Sequence, residues 1–156
     1  MNKLTGRYYC FTIVVRLNQI EVAPNVYLGF DERLENTPEN LKKYREAIAK
    51  AIPSAKITIA FSHSALKDNS EQYQELRRLA KEYANVHGDD ITYIIGGYFV
   101  GAYVPRVQAK AHIDEALQLL KNMMGEGYLP KSVIGGFLPS EVLEYLSNRG
   151  IHVAQG

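Results

Sequence analysis

Arg16, Asn18, Gln19 and Glu21 fall in one short segment of the chain. A glutamate beside two primary amides could do acid–base work on a hydroxylated ligand. The carboxyl group can give or take a proton, and each amide offers a donor and an acceptor to a sugar hydroxyl. Ser62-His63 is a second such place, where an imidazole could serve as general base or metal ligand. Tyr98, Phe99 and Tyr103 follow the glycine pair Gly96-Gly97 and could stack on a sugar ring or simply pack a loop, with packing the better reading for Phe99. Phe137 and Gln155 complete the set. Glu21 and His63 are the candidate catalytic residues. Arg16, Asn18, Gln19, Ser62, Tyr98, Tyr103 and Gln155 are the candidate substrate contacts. The plainer alternatives are a solvent-exposed loop glutamate for Glu21 and a backbone-bonded loop histidine for His63.

Other chemistries find no support in the spacing. His87 and His112 read as helix residues and His152 lies inside a strand. With neither His-x-x-x-His nor His-Glu-x-x-His present, no metal site is expected. There is no phosphate loop, no Gly-x-Gly-x-x-Gly and no Gly-x-Ser-x-Gly elbow, so no nucleotide cofactor is expected. Cys10, the single cysteine, reads as a small hydrophobe buried in a strand. Asp89 and Asp90 precede a strand and read as a solvated turn.

The elements that must position these residues follow from periodicity. Arg7–Val15 is a nearly continuous apolar run, as in a strand of a parallel sheet covered on both faces. Arg16–Val22 follows, and then an irregular stretch runs to Asn36, broken by Pro24, Asn25 and Gly29. Thr37-Pro38 signals a helix start, with Leu41, Tyr44, Ile48 and Ile52 as one apolar stripe and Pro53 as its end. Lys56–Phe61 is the second strand, followed by a loop over 62–69. Ser70 opens a helix with Tyr73, Leu76, Leu79, Ala80 and Tyr83 on one face, closed by Gly88. The third strand is Ile91–Ile95. A helix over Val107–Met124 carries Ile113, Ala116, Leu117 and Leu120. The fourth strand is Ser132–Ile134, a short helix opens at Pro139-Ser140, and Ile151–Ala154 is the fifth strand. Strands alternating with helices imply a parallel sheet with right-handed crossovers. In such sheets ligands bind at the carboxyl ends of the strands, where the candidate residues fall.

Composition narrows the function further. The chain has 156 residues, enough for one α/β domain with a real core and too few for two. Its 18 Lys+Arg balance 17 Asp+Glu, so no basic excess exists to neutralise phosphates and nucleic acid is not an expected partner. No apolar run is long enough for a membrane span. The expected partner is a small molecule or carbohydrate. Arg16 ends the first apolar run and no small-residue cleavage site follows, so the chain reads as cytoplasmic, or as a mature form whose leader is absent, with export of a full-length form open. Two architectures fit: an incomplete (half) β/α barrel, since a whole one needs roughly 250 residues, or an open doubly wound five-stranded parallel sheet. A doubly wound sheet ordinarily ends with a helix over its last strand. Here only Gln155-Gly156 follow the strand, which favours an N-terminal fragment of a larger barrel. Its uncovered last strand would invite self-association.

Several segments carry a family resemblance: Arg16–Val22, Ile59–Ser62, Asp89–Tyr93 running on to Gly97-Tyr98-Phe99, Ser132–Leu138 and Gly150–Gly156. In this order they resemble the N-terminal half of an uncharacterised bacterial family, a domain of unknown function found in gut anaerobes. The resemblance implies a larger protein with a β/α barrel similar to polysaccharide deacetylases and some glycoside hydrolases, and so a hydrolase acting on carbohydrate. Asn18, Gln19, Glu21, Ser62, Tyr98 and Gln155 are the positions that match its recurring segments. The deacetylase class uses one Asp and two His to hold a metal, and that triad is not found here. A glycosidase would need a second carboxylate opposite Glu21.

Overall fold

A computed structural model describes residues 9–23, 26–95 and 104–155. Five strands form one parallel sheet: β1 (Thr12–Val15), β4 (Thr58–Ser62), β5 (Asp90–Ile94), β6 (Val133–Ile134) and β7 (Ala154–Gln155), in the order β1-β4-β5-β6-β7. A separate antiparallel hairpin, β2 (Asn18–Ala23) and β3 (Val26–Asp31), is inserted after β1. The helices are α1 (Pro38–Ala51), α2 (His63–Lys67), α3 (Glu71–His87), α4 (Arg106–Met124) and α5 (Ser140–Ser147). Among the described residues no helix is long and apolar enough to cross a membrane.

Side chains alternate across the sheet, as the pleat requires. Ile13, Val15, Ile59, Phe61, Ile91, Tyr93 and Val133 face one way and pack with Leu41, Leu76, Ile113 and Leu146 of the helices into the main core. Val14, Ala60, Ile94 and Ile134 face the other way and form a separate small cluster. Among the described residues the helices therefore cover one face, and the strand order runs through the sheet without reversal. A doubly wound sheet would reverse its order and carry helices on both faces. The sheet instead curls around the small cluster as a half-barrel.

The local signals act as their chemistry dictates. Thr37 caps α1, its hydroxyl accepting from the Asn40 N–H at 3.2 Å, and Pro38 stands in the first turn, where a missing N–H costs nothing. Gly88 ends α3 at φ +74, where any other residue would be strained.

Several expectations are corrected. The stretch after β1 is not irregular: Asn18–Ala23 and Val26–Asp31 pair as a hairpin with two register shifts. Those shifts break the alternation that would have marked the strands. The loop after β4 begins with the short helix α2, capped by Ser62. The fifth strand is Ala154–Gln155, while Ile151 is buried ahead of it. Cys10 is exposed and precedes β1. On α1, Tyr44 and Ile52 are exposed, and the buried face instead holds Leu41 and Arg45. That arginine answers Asp89, which is no solvated turn. The two form an ion pair, Nε to Oδ2 2.7 Å, with side chains 1% and 0% exposed. Asp89 Oδ1 also accepts from the Ile57 N–H at 3.0 Å, so the pair joins α1 to the amino ends of β4 and β5.

Candidate functional site

The carboxyl ends of β1 and β4 meet the root of the hairpin, and Glu21 lies at that junction. It is a β2 residue, 2% exposed, and so not a solvated loop glutamate. Its Oε1 accepts from the Leu17 N–H at 2.8 Å, the Asn18 N–H at 3.4 Å and the Ser62 hydroxyl at 2.8 Å. Among the described residues its Oε2 is buried without a hydrogen-bond partner. Buried polar oxygens are seldom left so. The carboxyl group thus has one oxygen fixed by three donors and one that can still accept or carry a proton.

Ser62 ends β4 and holds two elements at once. Its hydroxyl donates to Glu21 and accepts from the Ala65 N–H at 3.0 Å, capping α2. The register Ser62↔Ile94 and Ile94↔Ile134, then Ile134↔Gln155, sets the strand ends side by side. Gln155 accepts at Oε1 from the Thr12 hydroxyl of β1 at 2.9 Å.

The remaining residues of the segment hold the hairpin in place. Arg16 grips Glu32 with two bonds, Nε to Oε2 2.6 Å and Nη2 to Oε1 2.8 Å. The Arg16 carbonyl accepts from Asn36 Nδ2 and the Tyr73 hydroxyl, both at 2.9 Å. The Asn18 side chain accepts from the Ile20 N–H at 3.2 Å, a local turn. Gln19 is exposed and lies against Gly29, where a Cβ would come within 2.5 Å of its Oε1. Tyr98 and Tyr103, with Phe99, lie outside the described residues.

His63 goes elsewhere. It neighbours Ser62 in sequence, but its ring meets α4 instead of Glu21. Its Nε2 is 2.8 Å from Glu115 Oε2, and its ring stacks on His112 at 5.5 Å between centroids. Lys67, one turn on, donates to Glu115 Oε1 at 2.7 Å. Burial pushes the His63 pKa down, against the opposing pull of Glu115. Glu115 itself is held below the usual carboxylate range, chiefly by the Lys67 bond. Glu115 and Lys67 escaped the reading of the sequence. The i, i+4 spacing of His63 and Lys67 was visible, but their acidic partner sits on a helix distant in sequence. Among the described residues no group of three or more His, Cys, Asp or Glu side chains converges as metal ligands. With His63 engaged by Glu115 and Arg16 at the β1 exit, the described residues do not fit the deacetylase metal site.

Comparison with known proteins sets this geometry in context. No curated protein matches the chain. A solved structure from Parabacteroides distasonis, described as a candidate glycoside hydrolase/deacetylase, is 36% identical over 93% of this chain, with a TM-score of 0.87. This chain spans 34% of that protein's length. The Bc1960 peptidoglycan N-acetylglucosamine deacetylase, solved with 4-naphthalen-1-yl-N-hydroxybenzamide bound, shares the fold at a TM-score of 0.54 and 17% identity, over 94% of this chain and 55% of its own. The family model described as "Domain of Unknown Function with solved-structure structure (DUF3863)" matches residues 1–156, and the chain belongs to that family.

Proposed function

We propose that this half-barrel supplies part of the site of a carbohydrate-active hydrolase, with Glu21 as its proton-transferring carboxyl group. The observation that carries the reading is Glu21 itself: a buried carboxyl group at the strand ends with Oε1 clamped by three donors and Oε2 unpartnered. A rigidly held carboxyl group with one oxygen available suits general acid or base work on a glycosidic, ester or amide bond. The carbohydrate class is supported by the description of the 36% identical relative. Ser62 positions the group. Asn18 and Gln19 lie on the same hairpin strand as Glu21 and are candidate hydroxyl contacts, as is Gln155, whose side chain lies against Thr12 at the start of β1.

A second reading, a carbohydrate-binding domain without catalysis, is favoured by the engagement of nearby carboxylates. Glu32 is paired with Arg16, and Asp31 with Arg33, so neither stands as a ready partner for Glu21. The test uses the polypeptide as its gene encodes it. Polysaccharides and their N-acetylated forms are assayed for new reducing ends and released acetate, alongside calorimetric binding. A hydrolase gives turnover that Glu21→Gln cuts about 100-fold or more while binding persists. Binding without turnover, unchanged in Glu21→Gln, selects the second reading. Neither binding nor turnover on any carbohydrate removes both.

A further inference from the structure

The pairing of the hairpin brings one more side chain to Glu21. In the register of β2 and β3, Glu21 stands directly opposite Tyr27, and Ile20 opposite Leu28. Residues opposite one another on antiparallel strands share a face, with Cβ atoms about 4.5–5.5 Å apart. Tyr27 therefore stands on the hairpin face that bears the Glu21 carboxyl group. Gln19, two residues before Glu21 on β2, falls on that face as well. Its side chain lies across Gly29, where a Cβ would come within 2.5 Å of Gln19 Oε1 and 3.1 Å of Gln19 Cβ. Gly29 is also at φ +80, so neither the backbone nor the space admits another residue there.

Exposure changes along this face. Glu21 is 2% exposed, Tyr27 is 37% exposed and Gln19 is open to solvent. The face thus passes from a sealed carboxyl group, with one oxygen unpartnered among the described residues, to an aromatic ring and an amide that a ligand can reach. Tyr27 lies in the stretch that reads as irregular from the sequence, and only the strand pairing places it beside Glu21.

An aromatic ring flanked by an amide and a carboxyl group suits a particular sugar geometry. A pyranose whose hydroxyls are all equatorial presents only axial C–H bonds above and below its ring, and such a face packs flat on an aromatic side chain. Its hydroxyls then radiate in the plane of the sugar, where flanking amide and carboxyl oxygens can meet them. We propose that Tyr27 is the sugar-stacking residue of the Glu21 site, and that a gluco-configured pyranose lies on its ring with equatorial oxygens at Gln19 and at Glu21 Oε2. The inference rests on the carbohydrate reading of that site and adds the residue and the sugar configuration that set its specificity.

Calorimetric binding of the β-1,4-linked pentamers of glucose and of N-acetylglucosamine to the polypeptide as its gene encodes it tests the assignment. The parent should bind at least one of them. Tyr27→Ser should weaken that binding about 10-fold or more, and Tyr27→Phe, which keeps the ring face, should stay within about 2-fold of the parent. Where the pentamer is turned over, Tyr27→Ser should raise KM by the same factor and leave kcat unchanged. Neither variant should move the melting temperature, because Tyr27 is at an exposed position. Equal affinity in the parent and Tyr27→Ser overturns the proposal, as does a loss in Tyr27→Phe as large as that in Tyr27→Ser. A lower melting temperature in Tyr27→Ser overturns it too, since Tyr27 would then be a cover for Glu21. So does a parent that binds neither pentamer, while turnover of another carbohydrate that Glu21→Gln abolishes would leave the Glu21 reading standing. Conversely, binding that depends on Tyr27 with turnover unchanged in Glu21→Gln would remove the proton-transfer role and keep Tyr27 in place.

Discussion

Thr12 and Gln155 stand 143 positions apart in the chain, yet the Thr12 hydroxyl donates to Gln155 Oε1 at 2.9 Å. They belong to the two outer strands of a five-stranded sheet. A flat sheet would hold such strands roughly 19 Å apart, at about 4.8 Å per strand spacing. The bond is possible because the sheet curls and the concave side chains of its ends converge. Exposed hydrogen bonds of this kind contribute about 1 kcal/mol or less. Thr12→Val and Gln155→Ala should each cost about that much in urea unfolding. The double variant should cost less than their sum, because the second loss removes a partner already missing. Strict additivity would mean that the two strands do not meet in solution.

Arg45 and Asp89 tie α1 to the sheet from the opposite end. Both side chains are buried, and Arg45 Nη2 also donates to the Ala55 carbonyl at 3.0 Å. Removing one member leaves the other charged and alone, at a cost of about 3–5 kcal/mol. Asp89→Asn and Arg45→Met should therefore each lower stability by roughly that amount. Arg45→Met with Asp89→Leu should recover much of the loss, since a buried apolar pair is often as stable as a buried ion pair. Equilibrium denaturation of the four proteins reads this directly. Single variants within 1 kcal/mol of the parent would contradict the burial of the pair.

The legible part of the fold was the part with strong periodicity. α3 and α4 show buried residues at helical spacing, and β4 and β5 are apolar runs between turn residues, so their places could be read from the chain. The hairpin could not. β3 lies open to solvent along its length, so no buried face imposed a period of two. Asp89 was misjudged for a related reason. A carboxylate before a strand is solvated unless a cation reaches it, and the cation comes from a helix 44 residues earlier. Strand-end logic singles out Glu21 and Ser62, and the structure brings the two into contact across 41 positions. The same logic grouped His63 with them. Adjacent residues at a strand end point to opposite sides, however, and that sends His63 to Glu115 on α4.

The His63 environment gives stability a pH dependence of definite sign. Burial lowers the folded pKa of His63 below its ordinary value of 6.5, so the unfolded chain binds the proton more readily. Stability is then fully present above pH 6.5 and falls as pH drops toward the folded value. Glu115 acts in the same direction at lower pH. Its folded pKa lies below 4.5, so its contribution is present above that value and is lost as pH falls through the folded one. His63→Gln should remove the first component and leave the larger part of the second, which rests chiefly on the Lys67 bond. Urea midpoints measured at intervals from pH 7.5 down to pH 5 should decline for the parent and stay flatter for the variant. Equal slopes would show that His63 is not shielded from solvent as its packing against α4 and His112 requires.

Ser62 and Glu21 make the sharpest separation between a structural role and a chemical one. Ser62→Ala deletes a donor to a buried carboxyl group and the side-chain cap of α2 together. Losing a buried hydrogen bond and a helix cap sums to about 1–3 kcal/mol. Ser62→Thr retains the hydroxyl and should restore most of it if the added methyl finds room beside Ile94 or Ile134. Glu21→Gln keeps an acceptor oxygen for Leu17, Asn18 and Ser62, and puts an amide nitrogen where Oε2 had no partner. Its stability should therefore stay within about 1 kcal/mol of the parent, while the proton transfer proposed for that position should be abolished. Glu21→Leu removes the acceptor altogether and strands the three donors, so it should unfold at much lower urea than Glu21→Gln. If Gln and Leu are equally harmful, the Oε1 clamp is not what anchors the hairpin. If both are harmless, Glu21 is neither clamped nor buried in solution, and its assignment to the site falls with the clamp.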